Sequence, residues 1–212
     1  MIREQMSKNN KKKFYIIILF LIVILAYHFL LREYTGDFKE MFSQLMDKDT
    51  LGDALRKRYE TWSSRVFIEA PLILLAHNNG VLLWKVCNIF VWLALALSLM
   101  YLTHYKNITM LIGLILMYPV TDMASAGWIA TYINYLWSLT AGCISVIALD
   151  KMYYDKKIYF PEAVMYLLLE LFATNFETFG VMYVCILLWY IGNLWYEKKI
   201  RFKKVCFWIL QM

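Results

Sequence analysis

The residues that could do chemistry fall into three groups, and the first contains Asp37, Trp62 and Arg65. They lie between the first long apolar run of the chain and a much shorter one. A carboxylate such as Asp37 suits a general base or a cation ligand. The planar fork of an arginine suits a phosphate, because it binds two oxygens at once. The alternative is that Trp62 and Arg65 only anchor the chain at a membrane surface, as such side chains commonly do.

The second group lies in the segment that begins at Trp128. Trp128, Tyr132 and Tyr135 are four and three residues apart, so they lie near one face of a helix, and Asn134 lies elsewhere on the same helix. Aromatic faces together with amides suit a sugar, because its CH groups stack on the rings while amides bond to its hydroxyls. An aromatic belt at a membrane interface with one interhelical asparagine is the alternative.

The third group is Asn175 with Glu177, preceded by Glu170 about two helical turns earlier. A carboxylate inside a membrane helix is costly, so Glu170 is a functional candidate by default. A protonated or partnered structural acid is the alternative. Lys85 and Asn88 are candidate partners for these acids.

The composition determines the kind of protein that must position these groups. The chain has 212 residues, of which 61% are hydrophobic and 17% aromatic, and its mean hydropathy is +0.51. It is therefore far more apolar than a soluble domain. Runs that are long enough, or nearly so, to cross a bilayer lie at 14–31, 82–102, 108–120, 129–149, 159–173 and 179–196.

These runs predict an all-α fold, a polytopic transmembrane helical bundle of about six spans. Residues 14–212 are predicted to form a single membrane domain. Residues 205–212 begin another apolar run and stop, which predicts a partial seventh helix in a chain that is cut short.

The segment between the first two spans is predicted to be an outer loop, 32–80. Apolar residues at helical spacing within 32–65 predict one or two helices that lie at the membrane interface. The stretch 66–77 holds only about 12 residues, including Glu69 and Pro71, and is short for a span.

The charges of the links predict the sidedness of the chain. Residues 1–13 form a basic N-terminus, and the links 103–107, 150–158 and 197–204 are basic as well. Since basic links mark the cytoplasmic side, the N-terminus is predicted to be cytoplasmic in a multi-pass protein of the cell membrane. The three groups then share the outer face, provided that 66–77 does not span.

The remaining composition argues against other classes of function. The formal net charge of +6 comes from juxtamembrane clusters, which predicts contact with the lipid bilayer and no nucleic-acid partner. The four cysteines lie in apolar segments without metal-ligand spacing, and the three histidines are far apart. A histidine or cysteine metal centre is therefore not expected.

Several short motifs resemble those of an uncharacterised family of bacterial polytopic membrane proteins, which in turn is similar to the C-type glycosyltransferases. The motifs are Thr61-Trp62-Ser63-Ser64-Arg65, Trp84-Lys85-Val86-Cys87-Asn88, Gly127-Trp128, Asn134-Tyr135-Leu136-Trp137 and Phe172-Ala173-Thr174-Asn175-Phe176-Glu177. The resemblance implies a polyprenyl-phosphate-linked sugar as donor and a cell-envelope glycan as acceptor. It also implies that Asp37 deprotonates the acceptor or holds a divalent cation such as Mg²⁺ or Mn²⁺. A single acid stands here where the wider superfamily often has a pair.

The leading hypothesis is a glycosyltransferase-like protein in which Asp37 is the catalytic residue, as a base or as a cation ligand. The predicted substrate-binding residues are Arg65, Trp62, Trp128, Asn134, Tyr135, Asn175 and Glu177. The alternative is a non-enzymatic component of membrane transport or polysaccharide assembly, which a buried Glu170 would suit equally well.

Overall fold

The computed structural model describes residues 2–31, 36–47, 49–78, 80–118 and 127–197. These residues form helices, and none of them lies in a β-strand. In chain order the α-helices are α1 (Ile2–Leu30), α2 (Asp37–Glu40), α3 (Leu51–Thr61), α4 (Val66–His77), α5 (Val81–Leu102), α6 (Ile108–Leu116), α7 (Trp128–Thr131), α8 (Ser138–Tyr153), α9 (Phe160–Thr174) and α10 (Glu177–Tyr196). A 3₁₀ turn, Phe42–Gln44, follows α2, and a π-helical segment, Tyr132–Trp137, joins α7 to α8 without a break.

Four of these helical segments are long and apolar enough to cross a membrane. They are Lys13–Leu30, Val81–Leu102, Trp128–Tyr153 and Glu177–Tyr196. The predicted all-α class is thus confirmed, and four of the predicted spans form helices that could cross a membrane. Two further predicted spans correspond to the shorter helices α6, with 9 residues, and α9, with 15. The predicted seventh helix at 205–212 lies outside the described residues.

Helix α4 is short and is buried on one side by protein, while Phe67 and Leu74 are exposed on the other. It has 12 residues with Pro71 inside, whereas a span needs about 20. Ile68, Leu72 and Ile73 have no exposed surface, because α4 contacts α2, α3, α5, α9 and the π-helical segment. The stretch 66–77 is therefore a core element around which the neighbouring segments assemble.

The residues before α4, 36–47 and 49–65, cover one side of it and are called the cap. Phe38, Phe42 and Ala54 are buried in the same core as α4. The apolar series of this segment therefore packs onto protein, and a location at the lipid interface stays a prediction. Helix α3 begins where the hydroxyl of Thr50 accepts a hydrogen bond from the backbone N–H of Asp53 at 3.2 Å, which satisfies one of the free donors of the first turn.

Helix α8 lies at the centre of the bundle and contacts α5, α9 and α10. Gly142 lets α10 approach closely, because a methyl group at this position would overlap the ring of Phe179. Small residues at a helix contact allow the van der Waals contact that drives helix association in a bilayer.

A chain of buried hydrogen bonds docks α1 onto α5 and the π-helical segment. The indole N–H of Trp137 donates to Oδ1 of Asn88 at 2.9 Å, and Nδ2 of Asn88 lies 2.9 Å from Nε2 of His28. Because an indole can only donate, the Asn88 amide must donate to His28, which makes Nε2 an acceptor. The Nδ1–H of His28 then donates to the carbonyl of Ile24 at 2.7 Å, so His28 is neutral.

Lys85 binds the end of α1, since its ammonium donates to the carbonyl of Leu31 at 2.6 Å. A pairing of Lys85 or Asn88 with the acids of the third group therefore stays a prediction, because their described contacts are with other groups. Both residues satisfy polar groups of the first helix instead, because that helix ends beside the start of α5.

The bundle has two chemically different ends. At one end, the imidazole of His104 lies 4.0 Å from a carboxylate oxygen of Asp150, and Lys156 donates to the hydroxyl of Tyr101 at 3.2 Å. The links 103–107, with Lys106, and 150–158, with three lysines, meet there. The cap and the short turn between α9 and α10 lie at the opposite end.

Candidate functional site

A polar pocket of about 310 Å³ lies where the cap, α4, α7 and the π-helical segment meet. It is lined by Asp37, Met41, Phe42, Arg58, Trp62, Ser63, Arg65, Glu69, Ala130, Thr131, Asn134 and Tyr135. This volume is at the lower end of the roughly 300–1,000 Å³ that ligand sites occupy. Two arginines, two carboxylates, an amide and aromatic rings converge on one cavity.

Five of the residues predicted from the sequence line this pocket together: Asp37, Trp62, Arg65, Asn134 and Tyr135. They come from the first and second groups, which are separated along the chain by the helices α4, α5 and α6. The packing of α4 against the π-helical segment brings them together. Their roles in binding or catalysis stay predictions.

A buried ion pair lies in the wall of the pocket. Nε and Nη2 of Arg58 donate to the two carboxylate oxygens of Glu69 at 2.9 and 2.8 Å, and the side chains are 11% and 6% exposed. The guanidinium also lies 5.0 Å from the ring centroid of Phe42 and 5.8 Å from that of Trp62. This bidentate geometry is the strongest that an arginine and a carboxylate form.

Sequence reasoning missed the role of Arg58, although a signal was present. Glu69 sits in an otherwise apolar stretch, and a buried carboxylate requires an opposite charge. Arg58 follows Ala54 by four residues on the inward face of α3, so it was placed to supply that charge.

Asp37 is the exposed carboxylate of the pocket. It is the first residue of α2 and follows Gly36, whose φ of 107° is in the region that favours glycine. Asp37 forms no ion pair with any of the described residues. Its carboxylate is thus accessible to a ligand, as a base or a cation ligand must be.

The turn between α9 and α10 packs beside the pocket, at what is called the rim, where it contacts Arg65 and the start of α4. Nη2 and Nε of Arg65 lie 2.8 and 3.0 Å from Oε2 of Glu177. Oδ1 of Asn175 accepts from the backbone N–H of Phe67 at 3.0 Å, and its Nδ2 donates to the carbonyl of Ser64 at 3.3 Å. Asn175 therefore caps the start of α4 from another element, because that helix has no capping side chain of its own.

The second group sits on the π-helical segment. Such segments are rare and frequently occur at functional sites. Nδ2 of Asn134 donates to the carbonyl of Ala130 at 2.8 Å, and Tyr135, which is 44% exposed, packs edge-on against Phe176. Trp128 is half-buried against the hydrophobic core. Trp128, Asn175 and Glu177 are not among the described residues that line the pocket.

The fit of a divalent cation depends on its oxygen ligands. Both oxygens of Glu69 are held by Arg58, so Asp37 is the available carboxylate among the described lining residues. No group of three or more His, Cys, Asp or Glu that could hold a metal occurs in the described part of the chain. Because Mg²⁺ is often bound by one or two carboxylates with substrate phosphates, Asp37 fits a cation only with oxygens from a ligand.

A second cavity, of about 320 Å³, lies between α5, α8 and α9. Its lining is apolar and consists of Phe90, Val91, Ala94, Trp137, Thr140, Ala141, Ile144, Leu169 and Phe172. Neither this groove nor the polar pocket includes Glu170, whose side chain is buried inside the bundle with 4% of the residue exposed.

Comparisons of the chain with protein-family models, curated proteins and solved structures give no match. Its function is therefore argued from the geometry of the polar pocket.

Proposed function

We propose that this chain is a membrane glycosyltransferase-like protein that transfers a sugar from a polyprenyl-phosphate donor at the extracytoplasmic face. One observation carries the proposal. Five residues that the sequence singled out for sugar, phosphate and proton chemistry line a single polar pocket. Such convergence is expected of a site and is not required of residues that only anchor a chain in a bilayer.

The pocket offers a group for each part of such a transfer. The hydroxyl of the acceptor attacks the anomeric carbon of the donor sugar, and Asp37 takes the hydroxyl proton. The bond from that carbon to the phosphate oxygen breaks, and the polyprenyl phosphate leaves with the bonding electrons. Arg65 binds the phosphate. Trp62, which is 79% exposed, and Tyr135 present rings to the sugar, while Asn134 supplies an amide.

The proposed membrane topology is based on the positions of the positive charges. The pocket lies at the end of the bundle opposite the basic links that contain Lys106, Lys151 and Lys156. With those links cytoplasmic, the N-terminus is cytoplasmic and the pocket is extracytoplasmic. In this arrangement the apolar runs 108–120 and 159–173, which contain α6 and α9, also cross the bilayer, which gives about six spans in the cell membrane.

A matched pair of variants tests the assignment of Asp37. The purified protein is assayed for transfer from a polyprenyl-phosphate sugar to a glycan acceptor, with and without Mg²⁺ or Mn²⁺. We expect Asp37→Asn to lower the rate by at least about 100-fold, because general-base catalysis contributes about 10²–10⁴-fold. Asp47→Asn removes an exposed carboxylate of the cap that does not line the pocket, and we expect an unchanged rate.

The second candidate is a transport or polysaccharide-assembly component, and the burial of Glu170 favours it. This carboxylate interacts electrostatically with the buried Tyr183, and acids inside a bundle often mark transport pathways. Measuring the variant Glu170→Gln alongside Asp37→Asn separates the two candidates. If Glu170→Gln abolishes function while Asp37→Asn retains it, the transferase proposal is refuted and transport is favoured.

A further inference from the structure

The two arginines of the polar pocket are neutralised in different ways. The Arg58–Glu69 pair is buried, with side chains 11% and 6% exposed, whereas Arg65 and Glu177 are 28% and 59% exposed. An exposed pair contributes little stability because water screens it. Arg65 can therefore exchange its partner at low cost, while Arg58 cannot.

The contacts of Arg65 place its guanidinium between the pocket and the protein's own carboxylate. Arg65 lines the pocket, while Nη2 and Nε point to Glu177 at 2.8 and 3.0 Å. A ligand phosphate and the Glu177 carboxylate would use the same two donors, since an arginine fork binds both groups bidentately. The two anions thus compete for one site.

The rim is held together without the Glu177 carboxylate. Asn175 joins the turn to Phe67 and Ser64 through two hydrogen bonds, and the ring of Phe176 lies 5.1 Å from the Arg65 guanidinium. Losing the ion pair therefore leaves the turn docked and Arg65 in place.

We propose that Glu177 is an internal competitor, and that a phosphate group of the ligand binds Arg65 by displacing the Glu177 carboxylate. This inference rests on the proposed function for the phosphate-bearing ligand, and it changes the part of Glu177 from a ligand contact to a displaceable counter-ion. The exchange is noncovalent. The phosphate could belong to a lipid headgroup or to a free phosphate, because both present the same oxygens.

The test measures binding of two probes to the purified protein in detergent by isothermal titration calorimetry. One probe is inorganic phosphate, and the other is farnesyl phosphate. We expect Glu177→Gln to bind at least one of them roughly twofold to fivefold more tightly than the unchanged protein, which corresponds to losing an exposed competing ion pair. Arg65→Gln should bind that probe about tenfold more weakly or worse, because it lacks a charged donor.

The chain provides a matched control in Glu60. Its carboxylate is 57% exposed and pairs with Nε of Arg56 at 2.9 Å, an ion pair much like that of Glu177, but neither residue lines the pocket. Glu60→Gln makes the same change of charge and should leave both affinities unchanged. Equal thermal unfolding midpoints of the two glutamine variants would verify that each is folded.

Each outcome bears on the proposal. Tighter binding of farnesyl phosphate alone supports exchange with a lipid headgroup, whereas tighter binding of inorganic phosphate supports exchange with free phosphate. Unchanged or weaker binding by Glu177→Gln overturns the competition, as does binding by Arg65→Gln equal to that of the unchanged protein. Exchange without any sugar transfer would refute only the proposed function. Asp37-dependent transfer with unchanged binding by Glu177→Gln would refute only this inference.

Discussion

At the residue scale, the chemistry of the pocket depends on which charges the protein already neutralises. Glu69 is fully engaged by Arg58 in a buried bidentate pair, and Arg65 is engaged by Glu177 at the exposed rim. Asp37 is left as the exposed carboxylate that lines the cavity. In the two proposals the three acids therefore have different roles: Glu69 is structural, Glu177 is exchangeable and Asp37 takes up a proton.

Arg58 is predicted to contribute strongly to stability. Arg58→Ala would leave Glu69 buried without its counter-charge, and we expect the free energy of unfolding to fall by about 3–5 kcal/mol. Unfolding in mixed detergent–SDS micelles, followed by tryptophan fluorescence, measures this change. Arg56→Ala removes the exposed arginine two residues earlier, whose side chain is 80% exposed, and should cost less than about 1 kcal/mol.

The double variant Arg58→Met/Glu69→Leu isolates the cause of that loss. Replacing both charges by apolar side chains removes the uncompensated carboxylate, so much of the stability should return. A double variant as unstable as Arg58→Ala would show that the arginine acts through its contacts with Phe42 and Trp62 instead.

At the scale of elements, the pocket forms because the short helix α4 lies between the cap and the π-helical segment. Helix α4 packs the cap on one side and the π-helical segment on another. The cap contributes Asp37 and Trp62, and the π-helical segment contributes Asn134 and Tyr135. Neither element forms a cavity by itself, since the walls belong to different parts of the chain.

The contact between α8 and α10 is predicted to depend on Gly142. Gly142→Ala would drive a methyl group into the ring of Phe179, which is 4% exposed, and we expect a loss of about 1–3 kcal/mol in the same unfolding experiment. Gly192 is a matched control because it lies in α10 with open space around its α-carbon. Gly192→Ala should be neutral or stabilise by up to about 1 kcal/mol.

A compensating change tests whether overlap with Phe179 causes the loss of stability in Gly142→Ala. Phe179→Leu shortens the side chain and should recover part of the stability when combined with Gly142→Ala. If the two changes add independently, the steric explanation is incorrect.

At the scale of the whole molecule, two sets of polar groups lie at opposite ends of the bundle. The cap, the polar pocket and the α9–α10 turn are at one end, and the links with Lys106 and Lys156 are at the other. A membrane across the four long helices would separate these ends. The proposed function would then take place on one side of the membrane.

Labelling of single cysteines checks this sidedness. In intact cells that express a cysteine-free variant, a membrane-impermeant maleimide should label Asp53→Cys, in the cap, without lysis. Lys157→Cys, in the link after α8, should react only after lysis, because positively charged links stay cytoplasmic. The reverse pattern, or equal labelling of both sites in intact cells, would contradict the proposed topology.

Much of the fold could be predicted because its signal is local. Apolar runs of membrane length predict helices wherever they occur, and four of the predicted runs form such helices. The run 108–120 shows the limit of that signal, since α6 comprises only Ile108–Leu116 among the described residues. The apolar series around Phe38 shows a second limit: spacing predicts an apolar face, but it does not say whether lipid or protein covers that face.

The sequence indicated which residues belong to the candidate site, but it did not indicate what each of them contacts. Asp37, Arg65 and Asn134 were selected because their chemistry is unusual among apolar neighbours. Asn175 and Glu177 were selected by the same criterion, yet their side chains bind α4 and Arg65. Residue type carries no information on whether a polar group meets a ligand or another part of the protein.

The sequence by itself determined that this protein is helical, with apolar runs of membrane-spanning length, and that its basic links are separate from its polar and aromatic groups, because these are properties of neighbouring residues. Only the tertiary structure decided that Arg58 neutralises Glu69, that Glu177 occupies Arg65, and that Asp37 shares a pocket with Asn134. These contacts join different elements, with 11 positions between Arg58 and Glu69 and 112 between Arg65 and Glu177. They depend on how α4 packs against the cap and the π-helical segment, and no local pattern encodes that arrangement.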